Sequence, residues 1–273
     1  MACCPPNIMR LLGQIGGYVW DFHAHDRKGG DGLPEVVVHL FVSSKFDLPG
    51  DGKTSISQTT QWPWDDTINF TISGSPPLNL KVRIPSWAAD HQMEPECPDA
   101  VLQYGYLSIP SAWLASNQTF SLRIPLKPRW IAPPIQTGQD IVALARGPVV
   151  YCVEDFDNDW VQDHFKVRNA VVSLCSWLIL EQQTTFIDTR APVEEDSMSH
   201  PETWVALTLK DGCRALESER TDRSPLADPR AREQILHAAQ VVSRLHFVPY
   251  CLRSNRGGRG HMRVGLRVYS PKH

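Results

Sequence analysis

The chain has 273 residues, 42% apolar and 21% charged, with a formal charge of −3. That length and composition support a folded protein with a sizeable core and exclude a wholly disordered one. The charge gives no positive field to attract nucleic acid or anionic membrane, and no run of apolar residues is long enough to span a bilayer. The N-terminus has no basic region leading into an apolar stretch and a small-residue cleavage site, so a cytoplasmic location is expected for the chain as written.

In chain order, Ile8, Leu11, Leu12 and Ile15 recur at helical spacing after Pro5-Pro6, which predicts a helix from Ile8 towards Trp20, ended or loosened at Gly16-Gly17. A polar, glycine-rich linker is expected from Asp26 to Gly32. Strand-like runs then follow at Val36–Val42, Ile68–Ile72, Leu80–Ile84 and Phe120–Ile124. The last three alternate apolar with polar, as half-buried antiparallel strands do. Turn clusters such as Pro49-Gly50-Asp51-Gly52 and Gly74-Ser75-Pro76-Pro77 separate the runs at short intervals, predicting a mainly β fold of the β-sandwich, jelly-roll-like kind.

Beyond Lys166 the periodicity weakens. An apolar run spans Val171 to Leu180 and an acid-rich polar stretch Pro192 to Glu202. A helix is expected from Pro229 to Leu245, where Arg, Glu, Leu, Ala and Gln dominate. A closing strand pair is expected at His246–Tyr250 and Met262–Tyr269, with a glycine-rich turn between its members. The expected divisions are 1–26, 33–165 and 166–273.

Seven cysteines, an odd number with only Cys3 and Cys4 adjacent, argue against a disulfide framework. Two neighbouring thiolates are able to bind zinc, but a structural zinc site wants four protein ligands and the CxxC spacing is absent, so spacing alone favours buried, unreactive thiols. Trp62, Trp64 and Trp87 are candidates for stacking on sugar rings, with packing as the default. The acidic run Glu154, Asp155, Asp157 and Asp159 offers oxygen ligands for a hard cation, but a solvated loop is the expectation. His23 and His25 with Asp26 read as structural residues after a helix end. The arginine-rich segment from Arg253 to Lys272 reads as a strand with a charged outer face. Asn69 and Asn117 head sequons that matter only in the secretory pathway.

Four strings in order carry a resemblance: Cys3-Cys4-Pro5-Pro6-Asn7 with Arg10-Leu11-Leu12 and Gly16-Gly17-Tyr18; Trp62-Pro63-Trp64-Asp65; Arg83-Ile84-Pro85-Ser86-Trp87; and Ala145 to Glu154 with Asp157-Asn158. A fifth joins Phe247-Val248-Pro249-Tyr250 to Asn255-Arg256-Gly257, with Cys251 and Leu252 where aromatic residues usually stand. Together they resemble the C-terminal part of family 127 glycoside hydrolases. The resemblance implies a retaining β-L-arabinofuranosidase with zinc as cofactor and arabinose-containing glycans as substrate. Cys3 corresponds to its zinc-bound nucleophile and Cys4 to a second zinc ligand. Such a zinc-held thiolate attacks the anomeric carbon, while a separate carboxylic acid serves the leaving group.

In that family the remaining ligands, a glutamate and a third cysteine, and the glutamate acid/base lie upstream in an (α/α) barrel. The first helix is then expected to be a remnant of that barrel, and the chain a poor hydrolase alone. The other readings are a carbohydrate-binding β-sandwich module using Trp62, Trp64 or Trp87, and an interaction protein that completes a site in trans with a barrel-bearing partner. A second copy of the chain is a further candidate partner.

Overall fold

A computed structural model describes residues 4–24, 32–50, 52–74, 77–88, 90–139, 141–158, 185–199, 203–215, 240–256 and 262–268. The expected helix at 229–239 and the apolar run Val171–Leu180 lie outside them, as do Cys3, His25, Asp26 and Asp159. The chain divides into two compact units, Met1–Leu126 and Lys127–His273, and is mainly β in both.

In the first unit, α1 (Cys4–Val19) carries Pro5 and Pro6 in its first turn, where backbone N–H groups lack helical partners. It runs straight through Gly16-Gly17, where a break was expected, and enters β1 (Trp20–His23) without a linker. His23 is therefore a strand residue, within 3.4 Å of Asp21. There follow β2 (Glu35–Val38), β3 (Ser44–Asp47), β4 (Ser55–Thr60), β5 (Thr67–Ser73), β6 (Asn79–Arg83), β7 (Gln92–Glu94), β8 (Val101–Gln103), β9 (Tyr106–Ile109), α2 (Ser111–Ser116) and β10 (Thr119–Arg123).

These strands form two five-stranded sheets, ordered β1-β2-β6-β9-β8 and β3-β4-β5-β10-β7. Both feed one buried cluster, with Val36, Val38, Leu80 and Val82 from the first and Ile56, Ile68, Phe70, Phe120 and Leu122 from the second. The period-two pattern dictates this: along β5, Ile68, Phe70 and Ile72 are buried while Asn69, Thr71 and Ser73 are exposed. The run expected to continue to Val42 ends as a strand at Val38, and the His39 N–H carries the β1–β2 ladder one bond further, to the Val19 carbonyl at 2.9 Å.

The second unit contains β11 (Pro128–Ile131), β12 (Ile141–Arg146), β13 (Val149–Glu154), β14 (Thr185–Ile187), β15 (Val193–Met198), β16 (Trp204–Ala215), β17 (Gln240–Pro249), β18 (Met262–Arg263) and β19 (Leu266–Val268). The order β12-β19-β14-β16-β17-β13, closed by a β12–β13 pairing, makes a six-strand barrel. Closure leaves these six strands no unpaired edge, and Leu144, Ile187, Leu207, Leu209 and Leu245 are fully buried along them. The division between the units falls at Leu126/Lys127, and β11 to β13 pair within the second unit.

Two further expectations change. Gln240–Leu245 is strand where helix was predicted: Leu245 pairs with Leu209 in β16 and is buried, and Val241 and Val242 suit a pleated surface. Helix propensity is a weak prior that such pairing overrides. Among the described residues the closing strands do not pair with each other; β17 pairs with β16 and β13, β18 with β13, and β19 with β12 and β14. The acid-rich stretch contains β15, a strand whose Glu195 accepts from Arg146 Nε at 2.7 Å and whose Glu194 pairs with Lys210. Within β16 a register shift lies between Lys210 and Cys213, and a Cβ on Gly212 would collide with Ala191 Cβ, so only glycine fits there.

Candidate functional site

The site expected at the N-terminus of α1 is represented among the described residues by Cys4, an exposed thiol in the helix's first turn. Every residue from Cys4 to Tyr18 is exposed, including Ile8, Met9, Leu11, Leu12 and Ile15, whose side chains make up the helix's apolar face. What anchors the helix is its end: Val19 and Trp20 are buried, Trp20 stacks on Phe46 at 5.8 Å, and its indole N–H donates to Ser44 Oγ at 3.1 Å.

Trp62 and Trp87 come together, as stacked rings 6.1 Å apart, with Phe41 edge-on to Trp62 at 5.2 Å. All three pack against the core cluster, which for Trp62 and Trp87 is the packing role given as their default. Trp64 is half-buried in the turn that follows, where its N–H donates to the Gln61 carbonyl at 2.9 Å.

The acidic run is not a solvated loop. Glu154 and Asp155 are buried, and Arg256 donates to both Asp157 oxygens, at 2.7 and 2.5 Å, and to Glu154 Oε2 at 2.5 Å. The Ser254 N–H donates to the other Glu154 oxygen at 2.6 Å. Burial pulls the Arg256 pKa down, but its bonds to Asp157 and Glu154 outweigh that and leave it raised. Fully buried Asn158 donates to the Glu154 and His246 carbonyls and accepts from the His246 N–H. The fourth and fifth sequence strings therefore meet in one network, and a guanidinium occupies the carboxylates where a cation was conceivable.

The cysteines separate by environment. Burial pushes the Cys97 thiol up, and the Cys152 and Cys213 thiols up to about 12, whereas Cys4 and Cys251 are exposed. We expect iodoacetamide at pH 8 to alkylate Cys4 and Cys251 in the native protein and to reach Cys97, Cys152 and Cys213 only after denaturation, read by peptide mass spectrometry. Unfolded thiols ionise near 9.0 while native Cys152 and Cys213 hold their protons to about 12. Stability present below pH 9 is therefore lost as pH rises through that window.

Sequence reasoning passed over one group in the first unit. The hairpin β8–β9 turns on Tyr104 and Gly105, with φ +51 and +78, and Tyr104 is 92% exposed. On the strands behind it, Gln103 pairs with Tyr106 and Tyr106 with Arg83, while His39 lies one step beyond the Val38–Val82 pair. Tyr106 Oη is 2.8 Å from His39 Nδ1, the two rings edge-on. Leu107 and Val82 are buried, so Tyr106 and Arg83 share the opposite, outer face. The available signal was the Tyr-Gly dipeptide between two short apolar runs, a two-residue turn with an unusual first residue.

Residues 35–126 match the model of the beta-L-arabinofuranosidase GH127 middle domain, and residues 131–267 that of the glycoside hydrolase family 127 C-terminal domain. The chain belongs to glycoside hydrolase family 127. The boundary between the two matched domains coincides with the division of this GH127 chain at Leu126/Lys127. A non-reducing end beta-L-arabinofuranosidase from Bifidobacterium longum subsp. longum is 28% identical over 182 residues, 62% of this chain and 26% of that protein. The crystal structure of a GH127 beta-L-arabinofuranosidase from Geobacillus stearothermophilus T6 superimposes with a TM-score of 0.68 at 26% identity, covering 98% of this chain and 38% of that one. A second solved GH127 beta-arabinofuranosidase, at 23% identity and a TM-score of 0.67, shares the fold over 98% of this chain and 39% of its own. The chain spans well under half the length of each. Among the described residues no helix is long and apolar enough to cross a membrane.

Proposed function

We propose that this chain is the β-rich C-terminal part of a zinc-dependent, retaining β-L-arabinofuranosidase acting on arabinose-containing glycans, and that alone it does not hydrolyse them. In this reading Cys3 is the nucleophile, Cys3 and Cys4 are zinc ligands, and the two sheets of the first unit form a jelly-roll-like β-sandwich that supports a catalytic (α/α) barrel. The observation that carries it is α1: a helix rooted in the core through Val19 and Trp20 holds its whole apolar face uncovered, as a helix of a larger helical assembly does. The family membership and the share of its relatives that the chain spans agree with this.

The described residues bring together no group of three or more His, Cys, Asp or Glu side chains able to hold a metal ion. They do not by themselves fit a zinc centre, which needs at least three protein ligands in a catalytic site. In this reading the missing ligands and the acid/base are supplied by polypeptide other than this chain, whether joined to it or a separate partner acting in trans.

The test is zinc content by elemental analysis, together with hydrolysis of a chromogenic β-L-arabinofuranoside, on this chain and its Cys3→Ala variant. The expected result is substoichiometric zinc and no Cys3-dependent hydrolysis. Stoichiometric zinc with turnover lost in Cys3→Ala would show that the chain holds a complete centre and overturn the reading. Gain of both on adding a barrel-bearing partner would support it.

A further inference from the structure

We propose that the outer face of the first sheet, at the end marked by the β8–β9 turn, is a glycan-binding platform in which Tyr104 stacks on a sugar ring and Arg83 and Gln103 bind its hydroxyls. The starting point is backbone strain. Tyr104 and Gly105 are both left-handed, the two-residue turn that matches strand twist and that favours Asn, Asp or Gly at its first position. A bulky aromatic residue there is held at a cost, and at 92% exposure no packing within the first unit offsets it. Such strain points to a role outside the fold.

The surroundings say what that role is. Behind the tip, Gln103, Tyr106 and Arg83 form a row across β8, β9 and β6, and His39 extends it at the end of β2. Gln103 and Arg83 are exposed and make no ion pair or side-chain hydrogen bond among the described residues. Tyr106 and His39, by contrast, hold each other at 2.8 Å and stiffen the floor. An exposed aromatic residue at the tip of a hairpin, with a fork of N–H donors and an amide in the row of the sheet behind it, suits a ligand with an apolar ring face and vicinal hydroxyls. Exposed carboxylates are absent from this row, so nothing in it repels a neutral, hydroxyl-rich ligand.

Topology places the platform near the cysteine-bearing helix. β2 and β6 run parallel and β1 and β9 antiparallel to them, so Trp20, His39, Ile84 and Tyr104 all lie at one end of the sheet. Helix α1 therefore enters the sheet at the end that carries Tyr104. The choice of an arabinofuranosyl glycan as ligand rests on the function proposed above; the platform itself does not, because binding is read without catalysis.

The experiment titrates this chain with arabinofuranosyl oligosaccharides of increasing length, followed by heteronuclear NMR with the Tyr104 and Arg83 side chains observed. The expected result is weak, saturable shifts at Tyr104, Gln103 and Arg83 that strengthen with ligand length. Tyr104→Asn keeps the turn's preferred chemistry, so its Tm stays at or above the parent's while binding weakens about tenfold. Arg83→Ala weakens binding without moving the Tyr106–His39 resonances. Unchanged binding in Tyr104→Asn overturns the proposal, as does a fall in its Tm, which would mean that the tyrosine serves the fold. Loss of self-association in Tyr104→Asn with no oligosaccharide shift would make the patch a protein contact and overturn it equally. Failure of the zinc and hydrolysis test leaves these readouts unaffected.

Discussion

Replacing Arg256 with alanine lowers the stability of the second unit by about 3–5 kcal/mol, the cost of breaking a buried ion pair by removing one partner. The guanidinium side chain is 27% exposed and the carboxylates it holds, Glu154 and Asp157, only 5% and 19%. Removing the cation leaves two like charges facing each other in a low-dielectric site, and Glu154 keeps only the Ser254 N–H. Arg256→Lys recovers a minor part, since one ammonium cannot reproduce the fork that spans both Asp157 oxygens and Glu154. Urea unfolding followed by hydrogen exchange at β13 and β17 measures this directly. A loss under about 1 kcal/mol would place the network among surface ion pairs of little worth.

The largest expected effect in the first unit is at Phe70, where truncation to alanine costs about 3–5 kcal/mol. Phe70 is fully buried, stands opposite Phe120 in the β5–β10 register and stacks on it at 5.0 Å, while Trp113 closes on Phe120 edge-on at 5.4 Å. Phe120 is held by strand pairing and Trp113 by the short helix α2, so the site cannot collapse into the space that truncation leaves. Phe70→Leu keeps much of the volume and loses about 1.5 kcal/mol or less. The denaturation midpoint of the first unit separates the two variants; equal losses would mean that shape, and not burial, sets the cost.

Trp20, buried and bonded to Ser44, fixes the helix to the sheet, so whatever packs on α1 is oriented by the first unit. Because α1 runs through Gly13, Gly16 and Gly17 with open space around each, nothing in the described chain requires small residues there.

The amino-acid pattern by itself determined the mainly β character, the alternation of β5, β6 and β10, the presence of the first helix, and the family strings, because each depends on neighbours a few residues away. The packing of Trp62 and Trp87 agrees with the default reading of aromatic residues as core packing. Only the tertiary structure decided the rest. The barrel closes through β12–β13 and a parallel β14–β19 pair, and strand register between distant segments leaves no local signal. Gln240–Leu245 became strand because β16 lay open to pair with it, against its own helical composition. Glu154 lost its expected solvation to an arginine about a hundred residues away, for a carboxylate's environment is set by the charge that folding brings to it. Tyr104 looked ordinary in sequence; its left-handed backbone and open ring exist only once β8 and β9 have paired.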